Sequence, residues 1–161
     1  MEVKNMAIRT QEKVGTVEDI DKLKKILVYL IGHLEGTKYK TELIKLSFIL
    51  DYRYCKEFRS EDNATSVEYI KYNYGPYSDS FVEAFEQLKS EGLIVEVSLP
   101  FGVGFTLADS IKNQELDQKV KEIVDKVIQD YGKKSLREMK AFIYDLEEFK
   151  NTEFGKAIKI N

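Results

Sequence analysis

Between Thr37 and Phe58 the apolar positions recur at helical spacing on two adjacent stripes. Leu43, Leu46, Leu50 and Tyr54 form one; Ile44, Phe48 and Tyr52, with Ile49, form the other. A helix apolar over so much of its circumference belongs in the interior, so this stretch is predicted as a central helix with elements packed on more than one side. Its charges collect mostly at the ends, Lys38, Lys40 and Glu42 before it and Arg53, Lys56 and Arg59 after it. Such a helix is expected to support a site rather than contain one.

The same periodicity places the other elements. Thr16-x-x-Asp19 reads as a capping box opening a helix with Ile20, Leu23, Ile26, Leu27, Leu30, Ile31 and Leu34 on its inner face, stopped by Gly36. Residues 1–15 show no clear period and read as a partly ordered arm before a single domain at 16–161. Val67–Tyr74 is β-branched and aromatic, which predicts a short extended segment; Gly75-Pro76 is expected to break it and open the next helix, with Phe81, Ala84, Phe85 and Leu88 inward and Gly92 as its stop. Leu93, Val95 and Val97, then Val103, Phe105 and Leu107, alternate with polar residues around Pro100, Gly102 and Gly104, the pattern of a β-hairpin. Asp109–Gln114 reads as a linker. A further helix carries Leu116, Val120, Ile123, Val124, Val127 and Tyr131 up to Gly132, and Ser135-x-x-Glu138 caps another with Leu136, Met139, Phe142, Ile143 and Leu146. The last fifteen residues are mixed and are expected to pack only through Phe149 and Phe154. The predicted fold is mainly α (α+β): a central buried helix in a multi-helix single domain, with a small winged-helix-like β-hairpin and a third short strand at 67–73.

Composition narrows the class. The one cysteine, Cys55, cannot form an intramolecular bridge, and no CxxC or Cys/His cluster exists, which points to a reducing compartment. No run approaches the roughly 18 apolar residues of a membrane span, and the N-terminus lacks a signal peptide's apolar core, so a cytoplasmic location is expected. Charge is uneven: residues 61–117 carry 11 acidic against 3 basic side chains, while both flanks are slightly basic. The middle third would repel a phosphate backbone.

Catalytic chemistry is thinly provided. Nucleophilic catalysis needs a base beside the nucleophile, and the single His33 and single Cys55 both fall in helices that read as core. His33 suits a helix C-terminus on charge grounds alone. The carboxylate neighbours Glu61/Asp62 and Glu147/Glu148 lie in polar, exposed segments, no phosphate-binding glycine loop is present, and no residue set suggests a metal or cofactor. The unusual feature is aromatic: seven of ten tyrosines fall within residues 39–77. A large apolar ring with a polar tip suits a binding surface, and the group around Gly75-Pro76 is read as one: Tyr69, Tyr72, Tyr74, Gly75, Pro76 and Tyr77.

In order, ELIKLSFILDYRY, EYIKYNYGPYSDSFVEAFEQLKSEGLI and KVKEIVDKVIQDYGKKSLREMKAFIY resemble the SocA-like Panacea domain, an antitoxin-associated family of prokaryotes and phages. The matching residues are Lys45, Leu46, Phe48 and Leu50, then Tyr74, Gly75 and Pro76, then Tyr131, Gly132 and Ser135, and the resemblance covers about residues 20–146. Family members commonly carry Trp shortly before YGP and again near the end; this chain has none, with Tyr72 or a neighbour at the first place and AFIYDLEEF at the second. The resemblance implies a non-enzymatic module that binds a cognate toxin, from a neighbouring gene, and neutralises it, in at least one member as a proteolytic adaptor.

Two readings follow. The first is such an antitoxin-like module, its acidic middle third complementing a basic partner. The alternative is a winged-helix-like DNA-binding regulator with Ser78–Glu91 as recognition helix. That helix holds Asp79, Glu83, Glu86 and Glu91 against one lysine, so DNA would instead meet Lys38, Lys40, Arg53, Lys56 and Arg59. An unfamiliar enzyme or an architectural subunit is a third class, and a homodimer would cover leftover apolar surface.

Overall fold

The structure is a computed structural model and describes residues 17–108 and 115–160. The expected N-terminal arm, the Thr16 cap and the linker at 109–114 lie outside the described residues. Within them the chain runs α1 (Val17–His33), β1 (Lys38–Tyr39), α2 (Lys40–Phe58), β2 (Ile70–Tyr72), β3 (Gly75–Tyr77), α3 (Ser80–Ser90), β4 (Ile94–Leu99), β5 (Gly102–Leu107), α4 (Gln118–Tyr131), α5 (Leu136–Tyr144) and α6 (Glu147–Lys150). The fold is α+β and mainly helical, as its periodicities predict.

α2 is the central helix. Leu43, Ile44, Leu46, Phe48, Ile49 and Leu50 are all buried, and α1, α4, α5, β3 and β5 pack around it. It starts where Glu42 reaches back to accept the Tyr39 amide at 2.9 Å, and ends where Arg59 turns left-handed at φ 48°. The charges are not confined to its ends, however: Lys45 and Asp51 are buried mid-helix.

The predicted hairpin is present as β4 and β5, with Ile94 opposite Leu107 and Leu99 opposite Gly102. Its third strand is not 67–73 but β1, which pairs Lys38 and Tyr39 with Phe105 and Gly104 to give the order β1-β5-β4. Residues 70–72 instead form a separate hairpin with 75–77. Gly75-Pro76 therefore does not open α3. Gly75 supplies a φ of 113° at the turn exit, and Pro76 lies in an edge strand, where a missing N–H is tolerated. The helix begins later, at Ser80, with its amide held by the Ser78 hydroxyl at 3.1 Å. Local composition marked a break here, and pairing with β2 turned it into a strand.

The C-terminal segment is also better tied down than its mixed sequence suggests. The Ile158 amide donates to the Tyr69 carbonyl, the Lys71 amide to the Lys156 carbonyl and the Gly155 amide to the Lys71 carbonyl, at 2.7–2.9 Å, so this segment runs antiparallel along β2. Ile158 is buried beside it.

The close approach of β1 to β5 requires glycine at 104. A Cβ there would stand 2.6 Å from the Lys38 carbonyl oxygen and 2.6 Å from a Leu99 methyl. Gly104→Ala is therefore expected to lower unfolding free energy by about 1–3 kcal/mol. Denaturant unfolding checks this; a variant as stable as wild type would mean that β1 is not held this closely.

Candidate functional site

Residues expected at the contact surface separate into two layers. Tyr69 is interior, with 2 % exposure, and its removal from the surface group is a correction. Its ring meets Phe48 edge-on at 5.0 Å, and its hydroxyl donates to Asp51 Oδ2 at 2.7 Å. Tyrosines fall at both parities along 69–77, so the local pattern carries no sign of which rings turn inward.

Tyr72 and Tyr74 do face solvent, at 48 % and 73 % exposure. Tyr77 is half-buried, and Gly75 and Pro76 are buried as backbone support for the tip. Tyr72 stacks between two rings, Tyr77 at 5.8 Å and Phe154 at 5.7 Å. Phe154 is 60 % exposed and arrives on the C-terminal segment, so pairing of that segment with β2 completes an aromatic row. The sequence reading gave Phe154 a packing role only; its place in this row depends on the pairing. Beside the row Tyr144 stacks on Phe149 at 5.1 Å, and Lys71 lies 4.6 Å over the Phe149 ring.

Two buried ionisable groups of α2 position this surface. The Lys45 ammonium donates to the Tyr74 carbonyl, directly under the turn, and a Cβ on Gly75 would lie 3.3 Å from its Nζ and 3.7 Å from the Tyr144 ring. Burial, with a smaller push from Lys140, lowers the Lys45 pKa to about 8. The sign follows. Unfolded, the amine holds its proton to about 10.5; folded, it releases it near 8, so the unfolded chain binds more protons between those values. Stability attributable to this group is therefore expected to rise as pH climbs from 8 to 10.5. Urea unfolding at pH 7.5 and 9.5 checks it: Lys45→Met should lack the rise, and an identical slope in both proteins would rule it out.

On another side of the helix, Asp51 accepts the Ala64 and Thr65 amides at 2.9 and 3.0 Å, together with the Thr65 and Tyr69 hydroxyls. Burial raises its pKa to about 6, although all four donors favour the charged form. This carboxylate fixes the 60–69 loop that leads into β2. A charged residue interrupting an apolar helical stripe was the available sequence sign for both Lys45 and Asp51.

The basic residues expected to contact DNA do not form one patch. Lys38 lies in β1 and Lys40 starts α2, while Arg53, Lys56 and Arg59 lie toward its other end, about 20 to 28 Å from Lys40 along the axis. Arg53 pairs with Asp130 at 2.7 Å and Lys56 with Glu148 at 2.6 Å, while the Lys38 ammonium donates to the Gly132 carbonyl. Glu148 is thus half of an ion pair. His33 stacks on Tyr29 at 3.9 Å with Nδ1 2.9 Å from that residue's carbonyl oxygen. Cys55 is buried, and burial, then Asp51 and Asp62, push its thiol up to about 11, so it stays protonated at neutral pH. A polar groove of about 1110 Å³ opens beside it, lined by both signs of charge, among them Arg59, Asp62 and Glu68. Among the described residues no cluster of three or more His, Cys, Asp or Glu is placed to hold a metal ion, and no helix is long and apolar enough to cross a membrane.

No curated protein and no solved structure matches the chain. A family model does, over residues 43–150, which spans α2 through α6 and so takes in Lys45, Asp51 and the Tyr72–Tyr77 hairpin. The chain belongs to the antitoxin SocA-like, Panacea domain family.

Proposed function

We propose that this protein is a non-enzymatic binding module of antitoxin type, which neutralises a cognate toxin protein by covering it with the surface of Tyr72, Tyr74 and Tyr77, supported from beneath by Gly75 and Pro76 and extended by Phe154. The observation that carries the reading is the row Tyr77–Tyr72–Phe154, rings stacked on one another with Tyr72 and Phe154 exposed, built by a hairpin that Lys45 fastens to the core and by the C-terminal segment bonded along it. Rigid, partly exposed aromatic groups are what binding hot spots are made of, because little conformational freedom is lost when they are covered. Family membership supports an antitoxin-associated role. The partner is the product of a neighbouring gene, met in the cytoplasm.

The test is co-expression of the tagged chain with that product. Restored growth and a stable co-purifying complex are expected; unchanged toxicity with no complex would refute the proposal. If the toxin level falls only while an ATP-dependent protease is present, neutralisation proceeds by delivery to that protease rather than by masking.

A DNA-binding reading draws support from one arrangement: α1, β1, α2 and α3 followed by β4 and β5, with β1 paired on β5, is the element order of a winged helix. The charges oppose it. Glu83, Glu86 and Glu91 are exposed on or just after α3, and Lys89 is shared by Glu86 and Glu96. A gel-shift titration at low salt with no retarded species would dispose of this reading.

A further inference from the structure

Among the described residues, the outer edge of strand β4 is unpaired. In its register with β5, Leu93 bonds Ala108 and the hydrogen-bonded pairs then alternate, so the N–H and C=O groups of Ile94, Glu96 and Ser98 point away from β5. Among the described residues nothing is hydrogen-bonded to them. Proteins usually blunt such an edge with inward charge, proline or a covering element. Here the strand reads IVEVSL, its one charge drawn aside onto Lys89 at 2.9 Å, with Val95 exposed and Phe101 92 % exposed at the adjoining turn.

We propose that this edge accepts one extended, basic segment of a partner protein, which adds to the sheet as a strand antiparallel or parallel to β4. The electrostatics select the occupant. Glu86, Glu91 and Glu96 are exposed on and just before the strand or joined to it through Lys89, and two of the cations beside them are already shared, Lys89 between Glu86 and Glu96 and Lys24 between Asp21 and Glu91, while Lys25 lines the same hollow as Glu91. A second copy of the chain fits badly. The symmetric antiparallel register that uses all three outward positions sets Glu96 opposite Glu96, and like charges directly opposed across a strand pair are destabilising. A segment with Lys or Arg opposite Glu96 gains where the copy loses. This edge belongs to a different sheet from the Tyr72–Phe154 row, and the inference does not rest on the function proposed for that row.

The probe is a fluorescent peptide of alternating Val and Lys, set against one of alternating Val and Glu, titrated into the full chain by anisotropy. The basic peptide is expected to bind at least about tenfold more tightly. Ser98→Pro removes an outward N–H and leaves the β4–β5 ladder intact, so it should weaken that binding about tenfold, one hydrogen bond's worth, with an unchanged melting temperature. Glu96→Lys, which needs no backbone change, should shift preference toward the acidic peptide. Tyr72→Ser should bind the basic peptide as wild type does, which separates this site from the aromatic row. The proposal is overturned by equal binding of the two peptides, by no binding of the basic one, by indifference to both β4 variants, or by a wild-type dimer in sedimentation that Ser98→Pro dissociates.

Discussion

Asp51→Ala is expected to cost about 3 kcal/mol or more of folding stability, since it strands four buried donors at once. Two are the backbone amides of Ala64 and Thr65, which have no other acceptor within the loop, and one is the hydroxyl of Tyr69, buried against Phe48 and Phe81. For a chain of this size that loss corresponds to a melting temperature lower by roughly 6–12 °C, which calorimetry measures directly. Asp51→Asn keeps the volume and should fall between. It should also differ in pH dependence. The folded carboxyl takes up a proton near pH 6, the unfolded one near 3.8. Between those values folding binds a proton, so the wild type loses stability as pH rises through this window, whereas the amide variant does not. A wild type and Asp51→Asn with parallel pH profiles would mean that Asp51 is not buried as described.

The second large effect concerns binding. Tyr72→Ser with Phe154→Ser removes the middle and one end of the stacked row, and should weaken the complex with the toxin on the order of a hundredfold or more, as loss of two hot-spot rings does. Because both rings are substantially exposed, the melting temperature should move little. Tyr69→Phe gives the opposite pattern, since it deletes only the hydroxyl that satisfies Asp51: reduced stability with unchanged affinity. Titration calorimetry of the purified pair, beside melting curves of each variant, separates the two. A double variant that binds like wild type would remove the row from the interface, whereas loss of binding together with loss of folding would show that the row is structural.

Together, these variants distinguish a support layer from a contact layer within one run of sequence. Lys45 and Asp51 lie six residues apart on α2 and serve different clients: one holds the Tyr74 carbonyl at the hairpin tip, the other holds the loop that delivers β2. The family model begins at Leu43, two residues before the first of them.

What the sequence determined by itself is the set of elements whose formation depends on neighbours a few residues away. The stripes of α2, the inward face of α1, the Ser135–Glu138 capping box of α5 and the alternation of β4 with β5 are all local periodicities, and each reappears. The acidic character of the α3 region was likewise readable as a count. Tertiary structure decided the rest. Whether a tyrosine turns inward could not be read at 69–77, where tyrosines fall at both parities, Tyr69 and Tyr77 at one and Tyr72 and Tyr74 at the other; Asp51, eighteen residues upstream, draws Tyr69 in. Pro76 became a strand residue because β2 lies beside it, and Phe154 joined the aromatic row because the C-terminal segment bonds along β2, more than eighty residues away. A two-residue strand such as β1 has no period to detect and exists only because Gly104 lets its backbone close on β5. These contacts link residues distant in sequence, and their energy comes from burial and hydrogen bonding that no local window contains.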